Sequence, residues 1–163
     1  MKLSLVLAVS LLTSAAVANN SPAPRTIKVH GNIGSSLAEA MIKAGAKPVK
    51  CENKVCVYQI TEFRNSDEGD GCGGGTSKYE TNFTYSNGKK YQSVKCTGED
   101  SDTQGDFQTS GPDKGQAIAK VLRDLDLSEN EGWDDFVTAD KIECEKYSRT
   151  DASCQITHTA QAE

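Results

Sequence analysis

The sequence predicts an α+β fold: an antiparallel sheet packed by two amphipathic helices and stapled by disulfides. Three observations carry this reading. Leu37, Ala40, Met41 and Ala44 fall at i, i+3, i+4 and i+7, and Ile118, Val121, Leu122 and Leu125 repeat that helical stripe. Alternating apolar segments come in pairs around turn residues, as antiparallel hairpins do. Six cysteines follow an apolar leader, and an even number in an exported chain reads as three disulfides.

The leader is MKLSLVLAVSLLTSAAVANN. Lys2 supplies a charged start, Leu3 to Leu12 an apolar stretch, and Ala16-Val17-Ala18 a small-x-small cleavage signature. A signal peptide over 1–18 is therefore expected, cleaved after Ala18, with a secreted or periplasmic product. The apolar stretch is shorter than the roughly 20 residues a spanning helix needs, and no stop-transfer stretch follows, so no stable membrane anchoring is expected. Removing 18 of the 163 residues leaves 145, a one-domain length. Loss of Lys2 moves the formal charge from −5 to −6. An acidic chain lacks the Lys/Arg field that replaces counterions at phosphates, which argues against nucleic acid, and it lacks a polybasic membrane face.

Residues 19–25, NNSPAPR, have linker composition. A single domain over 26–163 follows. "TIKVHG" alternates as a short strand. A helix is expected over about 36–45, with Ser36 and Glu39 as a capping box, Gly45 as the left-handed C-cap and Pro48 beyond it. "VKCENKVCVYQI" reads as two strands around a tight turn. In "KYETNFTYSNGKKYQSVKC" the Asn87-Gly88 pair signals a type I′ turn, setting Tyr85 against Lys90, Phe83 against Gln92 and Tyr79 against Cys96. Tyr79, Phe83, Tyr85, Val94 and Cys96 would then share one face. An acidic connector, 98–111, leads to Pro112 at the start of the second helix, capped by Ser110 or Gly111. Ser128 and Glu131 suggest a further capping box, opening a short helix with Trp133, Phe136 and Val137. "KIECEKYSRTDASCQIT" closes the chain as two strands.

The cysteines are assigned as Cys51–Cys56, Cys72–Cys96 and Cys144–Cys154, each pair sequential and the outer two spanning hairpins, although six cysteines allow 15 connectivities. The order helix, then Cys-bearing hairpin, occurs in 26–97 and again in 111–160. Leu37, Met41, Cys51, Cys56 and Ile60 correspond in role to Ile118, Leu122, Cys144, Cys154 and Ile156, which suggests a duplicated unit.

"GDGCGGGTSK" contains a literal G-x-G-x-x-G at Gly69, Gly71 and Gly74. Phosphate binding needs a strand before it and a helix after it. The preceding "EFRNSDE" carries no strand signal and the following "TSKYETNFTY" alternates as a strand. Asp67, Glu68 and Asp70 would also repel phosphate, so the stretch reads as a glycine loop held by Cys72. Asp100, Asp102 and Asp106, with Gln104 between them, form an incomplete Ca²⁺ candidate, because Gly111 stands where a bidentate Glu is required. No other cofactor or metal is indicated: oxidised cysteines and two histidines, His30 and His158, are too few for zinc. Asp134 and Asp135 adjoin each other but diverge, which makes a poor acid/base pair. Asn82-Phe83-Thr84 is a formal glycosylation sequon.

The chemistry-bearing patterns are therefore sparse, and the expected function is a monomeric, non-enzymatic module that binds or inhibits another protein. The loop from Asp67 to Ser77 is the expected surface, with Tyr79 and Trp133 as aromatic anchors. The alternatives are a small hydrolase using His30 or His158, and a structural envelope component.

Overall fold

The computed structural model of the protein describes residues 22–69, 71–73, 75–98, 107–108 and 113–160. The expected signal peptide, the linker up to residue 21, the candidate ligands Asp100, Asp102 and Asp106, and Pro112 lie outside the described residues.

Alternating segments give strands β1 (Arg25–Val29), β2 (Pro48–Glu52), β3 (Val55–Gly69), β4 (Thr76–Tyr85), β5 (Lys90–Gly98), β6 (Phe107–Gln108), β7 (Ser128–Glu131), β8 (Asp134–Lys146) and β9 (Ala152–His158). They form one antiparallel sheet in the order β1-β9-β8-β3-β4-β5-β6, with β2 beside β3 and β7 beside β8. The centre is the long pair β3 and β8, in register from Cys56 opposite Lys146 to Asp67 opposite Asp135. β2 and β4 share the other edge of β3, and β7 and β9 share the other edge of β8. The first strand, β1, pairs with the last, β9, so Arg25 faces His158.

Helices α1 (Gly31–Lys43) and α2 (Gln116–Asp124) cover one face. Their stripes bury Leu37, Met41, Ile118 and Leu122 against Ile60, Phe63, Phe83, Val137, Ile142 and Ile156. Both helices end in the same way. The amides of Gly45 and Ala46 donate to the carbonyls of Ile42 and Met41, and those of Asp126 and Leu127 to Arg123 and Leu122. This is the Schellman arrangement, with Gly45 (φ 99°) and Asp126 (φ 60°) in the left-handed position.

Disulfides join Cys51 to Cys56, Cys72 to Cys96 and Cys144 to Cys154. The first and third link residues directly opposite on neighbouring strands.

Several expectations are corrected. α1 starts at Gly31, a turn earlier than the Ser36 cap, because tertiary contacts hold that turn: Ser35 Oγ donates to the carbonyl of Arg149, 3.1 Å away, and Gly34 packs on Ala152. α2 starts behind Gly115, packed on Thr81, rather than behind Ser110 or Gly111. No helix carries Trp133, Phe136 and Val137. The residues form the β7–β8 hairpin, in which Glu131 faces Asp134 across Gly132 (φ 67°) and Trp133. A two-residue loop with glycine at its first central position is a type II′ signal. "EFRNSDE" is the distal half of β3, bent at Glu62 (φ 55°) where its pairing with β4 shifts.

The β4–β5 register is one residue off the expected one: Phe83 faces Tyr91, Thr81 faces Ser93 and Tyr79 faces Lys95. Only Gly88 has positive φ (80°), whereas a type I′ turn needs two such residues. Tyr85 and Lys89 close a three-residue loop instead. A slip of one flips a whole strand, so Tyr91 and Ser93 face the core side in place of Val94 and Cys96. The type I′ pattern occurs in the β2–β3 turn, where Asn53 (φ 50°) and Lys54 (φ 66°) are both left-handed.

Candidate functional site

Because β3 and β8 run antiparallel, the β3–β4 turn and the β7–β8 turn emerge at the same end of the sheet. Glu68-Gly69 ends β3, Thr76 begins β4, and Cys72 between them is bonded to Cys96 on β5. Thr76 returns its amide and hydroxyl to the carbonyl of Gly73, at 3.0 and 2.5 Å. The segment is thus tied by a covalent bond and by its own turn. Lys78 sits below it, with Nζ 2.9 Å from Glu80 and 3.6 Å from Glu68. The hydrogen bond to Glu80 is the main cause that raises the Lys78 pKa.

Trp133 stands beside this turn on the facing hairpin. A Cβ built at Gly69 would lie 3.7 Å from Trp133 Cβ, so the strand approaches without a side chain between them. Gly69, Gly75, Thr76, Ser77 and Trp133 line a shallow cleft of about 370 Å³. Trp133 is 95% exposed, while the other aromatic candidate, Tyr79, is half-buried on the sheet opposite Asp67. The structure brings Trp133 to the loop from Asp67 to Ser77. It places Tyr79 one step below, within the strands.

Beneath this end lies a polar cluster that sequence reasoning missed. Asn65, fully buried, donates through Nδ2 to Thr81 Oγ1 (2.6 Å) and accepts from Arg123 Nη2 (2.8 Å). Arg123 also reaches Asp135 (3.4 Å), and Thr81 donates to Asp113 (3.1 Å). Asp67 lies opposite Asp135. Burial raises the Asp67 pKa; Arg123 opposes that shift, and the carboxylates of Asp135 and Asp134 add to it. Asp134 and Asp135, on a strand rather than a helix, point to opposite faces, and the carboxylate close to Asp135 is Asp67.

The two histidines are far apart. His30 precedes α1, and His158 ends β9 opposite Arg25. Five residues of extended chain separate Arg25 from His30, about 17 Å at the usual strand rise. Neither ring nitrogen of His158 makes a hydrogen bond, and Glu129 Oε1 lies 3.2 Å from its Nε2. Among the described residues no three or more His, Cys, Asp or Glu side chains are grouped to hold a metal, and no helix is long and apolar enough to cross a membrane. The chain matches no protein-family model, no curated protein and no solved structure.

Proposed function

We propose that this is an exported, non-enzymatic module that binds another protein through the end of the sheet carrying Trp133 and the Cys72 turn. The single observation that carries the reading is the 95% exposure of Trp133 on a two-residue turn beside a disulfide-tied loop. Trp is enriched among interface hot spots, and a two-residue turn limits the backbone freedom that would be lost on binding. Three disulfides and the apolar leader support an oxidising, exported setting. A hydrolytic reading needs a nucleophile hydrogen-bonded to a histidine; the unbonded ring of His158 gives that reading no support.

The duplicated unit belongs to the same proposal. The strand order fits a repeat in which α1-β2-β3-β4 matches α2-β7-β8-β9, rather than one that matches the Cys51–Cys56 hairpin to the Cys144–Cys154 hairpin, and β5 pairs with β4 as β1 pairs with β9. On this reading the Trp133 turn is the counterpart of the Asn53-Lys54 turn, and the two ends of the sheet have diverged into a binding end and a plain one.

A photoreactive amino acid at position 133, with Tyr147 at the opposite end as control, tests the site in the native secretion. A single partner crosslinked from 133 and not from 147 is expected. Trp133→Ala should weaken its capture by about 2 kcal/mol or more. Equal crosslinking from both ends, or undiminished capture by Trp133→Ala, overturns the reading.

A further inference from the structure

β7 pairs with β8 on one side, and among the described residues no strand lies on its other side. The same strand lines a cleft of about 630 Å³: residues 126–131, which are the whole of β7 and the two residues before it, all contribute to the wall. We propose that this cleft takes an extended, basic segment of a partner protein, which pairs with β7 as an added strand. The inference rests on the reading of the Trp133 turn as the binding end, because β7 runs directly into that turn, and it adds the form and charge of the partner.

The backbone supplies the pairing groups. Glu131 and Asp134 face each other and close a two-residue hairpin. In such a hairpin the closing pair exchanges both hydrogen bonds, and bonded and non-bonded pairs then alternate along the ladder. Glu129 and Phe136 form the next bonded pair, so Ser128 and Asn130 turn their N–H and C=O groups away from β8. Among the described residues these four groups make no turn, loop or side-chain bond. A row of open backbone donors and acceptors is a template for a further strand.

The side chains select the occupant. Asp126, Glu129 and Glu131 outnumber Arg25 among the described lining residues. Glu129 is engaged by His158, 3.2 Å away, whereas Asp126 and Glu131 are exposed and make no ion pair among the described residues. A second copy of β7 would set these carboxylates against their own kind, and like charges directly opposite are destabilising, which disfavours self-pairing. Lys or Arg at alternate positions of an added strand meets Glu129 and Glu131 on one face. Trp133 follows Glu131 by two positions, and an indole face also attracts a basic side chain.

The test titrates the oxidised, isotope-labelled chain with a short synthetic peptide of alternating Lys and Thr, and follows backbone amides by NMR. Saturable binding is expected, with hydrogen exchange at the Ser128 and Asn130 amides slowed by about tenfold or more. The same peptide fully N-methylated keeps its charge but cannot pair, and should leave both amides unchanged. A peptide of alternating Glu and Thr should not bind, and Glu131→Lys should weaken binding of the Lys peptide by about tenfold. Unslowed Ser128 and Asn130 amides, or equal binding of the N-methylated or acidic peptide, overturn the proposal. So does protection already present without peptide, which assigns the edge to a second copy if it rises with protein concentration and to the chain's own residues if it does not. The two readings fail separately. A partner crosslinked at position 133 with unslowed β7 amides removes strand addition alone, and slowed β7 amides with undiminished binding by Trp133→Ala remove the Trp133 anchor alone.

Discussion

The guanidinium of Arg123, on α2, donates to Oδ1 of Asn65, on β3, across 2.8 Å, and the acceptor side chain has no exposed surface. The bond fastens the second helix to the centre of the sheet and fixes the amide so that Nδ2 meets Thr81. Asn65→Ala removes both partners at once. Hydrogen bonds to charged groups contribute about 1.5–3 kcal/mol and neutral ones about 1, so a loss of about 3 kcal/mol is expected. Urea unfolding monitored by circular dichroism measures it; a loss below 1 kcal/mol would show that water replaces the amide.

Asp67 and Glu39 should respond to pH with opposite signs. The folded Asp67 pKa is raised above 3.8, so the native chain holds this proton more tightly than the unfolded one. Ionisation is then destabilising, fully so above the raised value and not at all below 3.8. Asp67→Asn should melt higher than wild type at neutral pH, and the gap should close in acid. The Glu39 pKa is lowered, chiefly by its hydrogen bond to Lys146, 2.5 Å away. Glu39→Gln should melt lower than wild type at neutral pH, and that difference should vanish as pH falls through the depressed value. Melting temperatures across the acid range read both.

Gly34 is a packing glycine. A Cβ there would fall 2.2 Å from the carbonyl oxygen of Ala152, so α1 must lift from β9 to admit it. Gly34→Ala should cost about 3 kcal/mol, the upper end for overpacking. Gly115→Ala, with its Cβ 2.0 Å from Thr81 Cγ2, tests the same effect at α2. Unchanged denaturation midpoints in both would contradict the close approach.

Asp126 occupies the left-handed position that Gly45 fills in the first helix. An L side chain there is held at a cost of about 1 kcal/mol that glycine avoids. Asp126→Gly should therefore raise stability, by up to about 1 kcal/mol. A lower melting temperature would mean that the Asp126 side chain makes a compensating contact.

Loop-closure entropy gives about 2, 3.5 and 3 kcal/mol for the bonds at Cys51–Cys56, Cys72–Cys96 and Cys144–Cys154. A paired Cys72→Ala and Cys96→Ala exchange should thus lower stability more than the Cys51 and Cys56 pair. Comparative chemical denaturation ranks them. A larger loss at Cys51–Cys56 would place its effect in the native state.

The helices and most hairpins are legible because their signals are local: a stripe such as Leu37-Ala40-Met41-Ala44 lies within one segment. What lies beyond reach is set by contact or by single dihedral angles. The slip at Asn87-Gly88 turns on whether Asn87 adopts positive φ, and the capping-box letters at Ser128 and Glu131 compete with a glycine turn that wins. In the site, Trp133 and the Cys72 loop are readable by residue type, and their meeting depends on the β3–β8 pairing. The Asn65 cluster joins residues 16 and 58 positions apart, which no window covers.

The pairing of β1 with β9 also has a consequence for biogenesis. β1 leaves the ribosome first among the strands, yet its partner in the sheet is the last to emerge. Until Ala152–His158 is available, Arg25–Val29 has an unpaired backbone on both sides, and an unpaired strand invites association with other chains. Closure of the sheet therefore waits for β9 and joins residues more than a hundred positions apart, and such non-local pairing is slow. The native disulfides set no further condition on it, since each lies outside β1 and none has to be broken for the first strand to dock.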